Sequence, residues 1–306
     1  MKQLVLITGA RGFIGSALKL HLQKFGLNVV GMDLVSGEQK NFVACDVSDS
    51  EALAHTLAAL RPTIIIHCAA MKGLPTCEAD KPKSFATNVL STEVIVEYAK
   101  QHDAKLIYIS SDVVFDGKRG NYAPDDKPQP INWYGKTKAF SELLVSGVPR
   151  STICRTALVI GQLDVQYKQL LDAELKGDLL VNQTLFPQYV HEQLRQGKPV
   201  HLSERIISNP TPIELLCWAI DTVITGDVSG VLHTSGPDSM SRFELGCIIA
   251  DHVGADRSLL IADEGATSTL RPQNISLDTV TSFERLRIDP AAWHITDYLA
   301  RKELYA

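Results

Sequence analysis

An α/β chain built on a doubly wound parallel sheet, with a smaller mixed C-terminal lobe, is the fold class that three observations predict. Short β-branched runs alternate with helical patterns through the first half, the signature of successive βαβ units. Most of these runs are apolar at every position, as strands covered on both faces are. The first run leads straight into a glycine-spaced turn, TGARGFIG, that opens an amphipathic stretch.

Taken in order, the predicted strands are LVLIT (4–8), LNVVGMD (27–33), NFVAC (41–45), TIIIHC (63–68), KLIYIS (105–110) and STICR (151–155). Helical patterns fall between them at 13–25, 50–60, 84–101 and 133–146. The second opens with a capping box from Ser48 to Glu51 and carries Leu53, Leu57 and Leu60 along one face, so it reads as a crossover helix. Beyond residue 160 the pattern loosens. Helical stretches at 164–176 and 183–196 precede a polar, proline-punctuated segment, RIISNPTPIE (205–214). A helix from Pro212 to about 225 and a strand GVLHTS (230–235) follow, and Ser241 with Glu244 forms a second capping box for a helix running to His252. There is no internal repeat or low-complexity tract.

With 306 residues, 45% of them hydrophobic and 21% charged, the chain can bury one large or two moderate cores. A net charge of −5 and the lack of any Lys/Arg block argue against a nucleic-acid partner held through its phosphates. The apolar run at the N-terminus is too short for a signal peptide and no run reaches membrane-span length, which leads to the expectation of a cytoplasmic protein with no membrane partner. The six cysteines lack CxxC spacing and several lie in strand-like runs, so free thiols are expected. The sequons at Asn182 and Asn274 are then chance matches, and His191-Glu192 lacks the second histidine of a zinc helix; no metal site is expected.

In the turn, Gly9, Gly12 and Gly15 allow the backbone to approach a pyrophosphate whose charge is met by free amide N–H groups at a helix start. The position of this turn, after a buried-type strand and before an amphipathic helix, is what a dinucleotide fingerprint requires. Asp33 ends the second strand, where a carboxylate can accept from the adenosine ribose and repel a 2′-phosphate, which favours NAD. Arg11 can instead pair with a 2′-phosphate, which would suit NADP, or stand as a solvated loop cation. Asp46 and Val47 can bracket the adenine ring, although Asp46 equally suits a turn or helix cap. Residues 1–160 are thus expected to form a dinucleotide-binding Rossmann domain to which about 206–236 returns, and 161–306 a substrate-binding lobe.

The stretch NWYGKTK (132–138) spaces Tyr134 and Lys138 one helical turn apart, so the ammonium can lie near the phenol and lower its pKa. Beside a hydride donor, such a tyrosine exchanges a proton with a carbonyl or alcohol.

The glycine turn, CAA (68–70), Asn88, ISSD (109–112) and the Tyr134/Lys138 pair occur in the order found in the extended short-chain dehydrogenase/reductase superfamily, which the chain resembles over most of its length. Within it, SSDVVFDG, PINWYGKTKAFSE, RTALVIG, SNPT, HTSGPDSMSRFELG and RPQNISLDT resemble the dTDP-4-dehydrorhamnose reductase family. The resemblance implies an oxidoreductase with a catalytic triad. Ser111 would hydrogen-bond the substrate carbonyl, Tyr134 would protonate it, and Lys138 would hold the ribose and depress the phenol's pKa. It further implies that Gly9, Arg11, Gly12, Phe13, Ile14, Gly15, Asp33, Asp46, Val47, Ala69, Ala70, Asn88, Ser110, Tyr134, Lys138, Ala157 and Leu158 line NAD or NADP. Ser111 also suits a strand-end cap, and Asn88 an internal hydrogen bond.

The implied substrate is a nucleotide-activated deoxysugar. Arg271 and Asn182 are candidates to grip its diphosphate or base, with Lys72, Ser111, Asp112 and Arg155 near the sugar, while Arg271 also suits a pair with Asp278 and Asn182 a helix cap. Two departures bear on the sugar. Val113 replaces the family's aromatic residue, and AAMKGLPTCEADKPKSFATNV is similar to sugar-nucleotide dehydratases and epimerases instead. An epimerase or dehydratase with transient hydride transfer is therefore a second reading. A third is a non-catalytic NADP-binding regulatory subunit like the methionine adenosyltransferase beta subunit, which resembles the same family. A homodimer is a familial tendency.

Overall fold

Apolar residues alternate sides within each central strand, and this alternation builds two cores at once. Val5 and Ile7, Ile64 and Ile66, and Ile107 and Ile109 point to one face, whereas Leu6, Ile65, Leu106 and Tyr108 point to the other. The computed structural model describes residues 3–35, 41–161, 186–226, 228–263 and 270–301. Its main sheet contains β1 (Leu4–Thr8), β2 (Asn28–Asp33), β3 (Phe42–Ala44), β4 (Ile64–His67), β5 (Lys105–Ser111), β6 (Ser151–Thr156) and β7 (Gly230–His233). All neighbours are parallel, in the order β7-β6-β5-β4-β1-β2-β3.

On one face lie α1 (Phe13–Lys24) and α8 (Ile213–Thr225), contributing Leu18, Leu22, Leu216 and Ile220. On the other lie α2 (Ser50–Leu60), α5 (Ser91–His102) and α6 (Trp133–Val145), contributing Leu53, Leu57, Ile95, Val96 and Val145. Helices on both faces of an all-parallel sheet make this the doubly wound Rossmann-like fold. Strand order reverses between β1 and β4, and the C-terminal ends of these strands are where a doubly wound sheet places its ligand crevice.

Three local expectations change. The cap of α2 is Asp49, which accepts from Glu51 and Ala52 N–H; Ser48 instead donates its hydroxyl to Asp46. The expected helix at 84–101 starts earlier and is interrupted. Asp80 caps α4 (Lys81–Phe85), and a π-turn at Ala86–Leu90 precedes α5. A short helix, α3 (Leu74–Ala79), stands ahead of both. The helix expected at 164–176 lies outside the described residues, as does the start of the one expected at 183–196, whose described part is α7 (Phe186–Arg195).

A separate apolar cluster joins Val190 and Leu194 of α7, the paired strands Val200–Ser203 and Leu260–Asp263, and Leu245 and Ile249 of α9 (Arg242–His252). Ser241 and Glu244 cap α9 reciprocally, as the sequence predicts.

Candidate active site

Between β1 and α1 the backbone makes a turn that only glycine allows at two points. Gly9 has φ +64°, and a Cβ there would stand 2.8 Å from the backbone of Ala69; a Cβ on Gly15 would stand 2.2 Å from the Gly9 carbonyl oxygen. Gly12 caps α1 without a side-chain hydrogen bond, and the first turn holds no acidic residue. A Cβ on Gly12 would meet nothing nearer than the Gly9 oxygen at 3.2 Å, so this side of the turn is open. Unspent first-turn N–H groups beneath an open glycine backbone fit a pyrophosphate. Gly15→Ala is therefore expected to weaken NAD(P)H binding at least about tenfold in a fluorescence titration, because backbone must move to admit the methyl. Unchanged affinity would exclude this turn as the phosphate seat.

Around the turn, Asp33 fixes the loop. Its carboxylate accepts from Arg11 N–H and Leu34 N–H, each at 2.9 Å. The Arg11 guanidinium lies over the Phe42 ring at 5.2 Å. Asp46 is exposed and accepts from the Ser48 N–H and hydroxyl, which is the turn role open to it. Val47 is buried in the cluster with Met32, Leu53 and Leu57, where the chain turns inward to start α2. Phe13 and Ile14 are partly buried and pack against the core.

Tyr134 and Lys138 both lie on α6, as the spacing predicts. Asn132 caps that helix by accepting from Gly135 N–H at 2.7 Å, and its amide donates to the Leu270 carbonyl at 2.9 Å, tying the helix start to the C-terminal segment. A Cβ on Gly135 would lie 2.3 Å from the Val113 carbonyl oxygen, so glycine lets α6 close onto the turn that follows Ser111. Ser111 ends β5, half-buried, and its hydroxyl donates to Asp112 at 3.0 Å. Burial pushes the Asp112 carboxyl up to about 6, against the opposing hydrogen bond from Ser111 and the charge of Arg242.

The electrostatics of the pair differ from the expectation. Lys138 donates to the Ile109 carbonyl at 2.5 Å and lies 4.2 Å over the Tyr108 ring; burial lowers its pKa to about 8. The Tyr134 phenol is pushed above its ordinary value, first by burial and then by the Cys77 thiol and Asp112 beside it. The Lys138 ammonium is thus held by the Ile109 carbonyl and the Tyr108 ring, on the sheet side of α6. Asn88, buried within the π-turn, accepts from Met71 N–H at 2.7 Å and donates to the Met71 carbonyl at 3.0 Å, holding the loop just past Ala69 and Ala70.

Two further assignments are corrected. Arg155 does not reach the cleft. It is 3% exposed and bound to Glu142, with Nη2 to Oε2 at 2.8 Å and Nε to Oε1 at 3.0 Å, while Nη1 donates to the Pro124 carbonyl at 3.0 Å. The Ser110 hydroxyl points into the same buried pair, donating to Glu142 at 2.5 Å. A guanidinium on a strand facing α6 finds its carboxylate inside the protein, so its charge is met there rather than by a sugar.

Near this pair, His233 is pushed down to about 4 by burial and by Arg155, and in β4 burial holds His67 at about 3. Both are neutral in the fold, so below pH 6.5 the unfolded chain binds more protons and stability falls with pH, by up to about 1.4 kcal/mol per pH unit for each. Asp112, raised to about 6, takes up a proton in the fold below that pH and offsets about one of the two, so urea titrations between pH 7 and 5 should show a net loss of stability as pH falls, and His233→Gln should remove most of it. Stability independent of pH across that range would contradict it.

From the far lobe, Arg242, which the sequence did not single out, acts on Asp112 electrostatically. Arg242 starts α9, lies 5.4 Å over the Phe186 ring, and is held at about 10 by burial, with Asp112 opposing and Arg271 adding to the shift. No local pattern marks it, because its neighbours Asp112, Phe186 and Arg271 come from three distant segments. Arg271 is exposed, next to Leu270. Lys72 is exposed beyond Ala70, its ammonium lowered by desolvation. Ala157 and Leu158 follow β6 directly beyond Thr156, the partner of Ser111 in register. Asn182 lies outside the described residues.

A family profile described as the RmlD substrate binding domain matches residues 1–302. The chain belongs to that family. Among its relatives, methionine adenosyltransferase 2 subunit beta of Rattus norvegicus is 30% identical over 278 residues, covering 90% of this chain and 80% of the relative. A dTDP-4-dehydrorhamnose reductase of Aggregatibacter actinomycetemcomitans is 26% identical, covering 94% and 95%. A hypothetical dTDP-4-dehydrorhamnose reductase from Sulfolobus tokodaii superposes with a TM-score of 0.80 at 28% identity, covering 94% and 96%. The fold is shared as well with the reductase from Bacillus anthracis solved in complex with NADP, at a TM-score of 0.81, 22% identity and 98% coverage of both chains.

Proposed function

We propose that this protein reduces the keto group of a nucleotide-activated deoxysugar with NAD(P)H, dTDP-4-dehydrorhamnose being the nearest familial substrate. One observation carries the reading: α6, which carries Tyr134 and Lys138, closes through Gly135 onto the turn that follows Ser111, at the end of the sheet where the glycine turn opens. The bound nicotinamide supplies the hydride. Ser111 re-aims its hydroxyl from Asp112 to the substrate oxygen, and Tyr134, a neutral phenol at any physiological pH, donates its proton there as negative charge develops. Lys138 binds the cofactor ribose as an ammonium, so reduction should weaken above about pH 8, where Lys138 loses its proton.

Asp33 presents a fixed carboxylate to the adenosine end, which favours the 2′-hydroxyl of NADH over a 2′-phosphate; the expected kcat/KM ratio of NADH to NADPH is above one. Arg271 is the cation for the substrate diphosphate, and Lys72 and Asp112 flank the sugar. Residues 1–160 with β7 hold the cofactor, and the remaining lobe holds the substrate. No helix among the described residues is long and apolar enough to cross a membrane, in keeping with a cytoplasmic enzyme. A homodimer belongs to the same reading.

A second reading has a specific observation behind it. The relatives named methionine adenosyltransferase 2 subunit beta reach 30% identity, against 26% for the bacterial reductase. A regulatory subunit would bind the dinucleotide and a synthetase partner without turnover. Assay of a panel of 4-keto nucleotide sugars with NADH and NADPH separates the two. Substrate-dependent cofactor oxidation supports the reductase, and none across the panel, with capture of a methionine adenosyltransferase, supports the subunit.

A further inference from the structure

We infer that His67, buried beneath the crevice, is a positioning residue that couples the dinucleotide turn to the helix carrying Tyr134 and Lys138. The inference rests on the cofactor site of the proposed function and adds a residue to it. His67 ends β4 at 1% exposure, and both ring nitrogens have partners: Nδ1 meets the Thr8 hydroxyl at 2.7 Å, and Nε2 meets the hydroxyls of Thr92 at 3.1 Å and Ser91 at 3.3 Å.

The direction of every proton in this network follows from its ends. Thr92 donates to the Asn88 carbonyl at 2.7 Å and Ser91 to the Thr87 carbonyl at 2.5 Å, so neither hydroxyl has a proton left for the ring. Nε2 must therefore carry the hydrogen and donate. The neutral ring then accepts at Nδ1 from Thr8, and the Thr8 oxygen accepts from Ala69 N–H at 3.1 Å. Donation runs one way, from Ala69 through Thr8, His67 and Thr92 to Asn88. A protonated ring would leave the Thr8 hydroxyl without its acceptor, in line with the depressed basicity of His67.

Both ends of this line touch the site. Ala69 is the residue that the glycine turn packs against at Gly9. At the other end, the Asn88 carbonyl also accepts from Ser141 at 2.7 Å, and its amide donates to Thr137 at 2.9 Å, whose hydroxyl returns to the Tyr134 carbonyl at 2.7 Å. Thr137 and Ser141 flank Lys138 on α6. The ring of His67 also lies 5.7 Å from Tyr108, the platform under the Lys138 ammonium. Through these contacts His67 sets how far the cofactor-binding turn stands from the Tyr134 and Lys138 side chains.

The test is a double-mutant cycle on binding of NADH or NADPH, whichever is tighter, which needs no sugar. Thr8→Val and Ser141→Ala lie at opposite ends of the line. Each should weaken cofactor binding about threefold or more, and together they should weaken it by at least threefold less than the product of the two. In a His67→Phe background, which keeps the ring but removes both nitrogens, the two effects should multiply. Effects that multiply in the wild-type background overturn the inference, with or without loss of thermal stability, and this arm decides alone if His67→Phe does not fold. Absence of turnover on every 4-keto sugar would sink the proposed reaction and leave the cycle standing; absence of cofactor binding would sink both.

Discussion

Tyr134→Phe is expected to lower turnover of a keto sugar by at least about a hundredfold, the scale of a general acid's contribution, while NAD(P)H still binds. The phenol sits at the start of α6, and its pKa above the ordinary range keeps it protonated at neutral pH. Its ring is half-buried against the turn after β5, so phenylalanine keeps the packing and removes only the hydroxyl. Single-turnover rates with saturating cofactor measure the effect without interference from product release. A variant with wild-type kcat would remove Tyr134 from the chemistry.

The largest effect on stability is expected from Arg155→Met. This change leaves the Glu142 carboxylate buried with the Ser110 hydroxyl and the more distant Lys138 ammonium in place of its bonded guanidinium, and breaking a buried pair in this way costs about 3–5 kcal/mol. The cost should appear as a lower urea midpoint. Adding Glu142→Gln should restore part of it, because an amide needs no counter-charge. Were Arg155 a sugar ligand, stability would instead be unchanged and KM for the sugar would rise. The same pair anchors α6 to β6 one turn beyond Lys138, so an intermediate loss of turnover is expected alongside the stability loss.

Elements with a dense local pattern were legible. The five-residue run at β1 and its neighbours are apolar on both faces because helices cover both, and the glycine turn follows from backbone sterics alone. Ser241 and Glu244 read correctly because both partners of a capping box lie within one turn. Ser48 misled because Asp49 stands next to it and reaches the same N–H groups with a stronger acceptor. The π-turn around Asn88 has no periodic signature: one extra residue leaves the apolar pattern almost unchanged. Long-range pairings were invisible for a plainer reason. Nothing near Arg155 in the sequence says whether its charge faces Glu142 or a ligand, and nothing near Arg242 says that it meets Asp112. The Tyr134–Lys138 spacing gave the shared helix but not the direction of the ammonium, which the Ile109 carbonyl and the Tyr108 ring determine.

The most direct measurement follows the label from NAD(P)H deuterated at the transferable position of its nicotinamide C4 into dTDP-4-dehydrorhamnose. Wild-type protein should deliver one deuterium to sugar C4 per cofactor oxidised, and Tyr134→Phe should bind the same cofactor and deliver almost none. Unlabelled sugar with unoxidised cofactor from the wild-type protein would contradict the account.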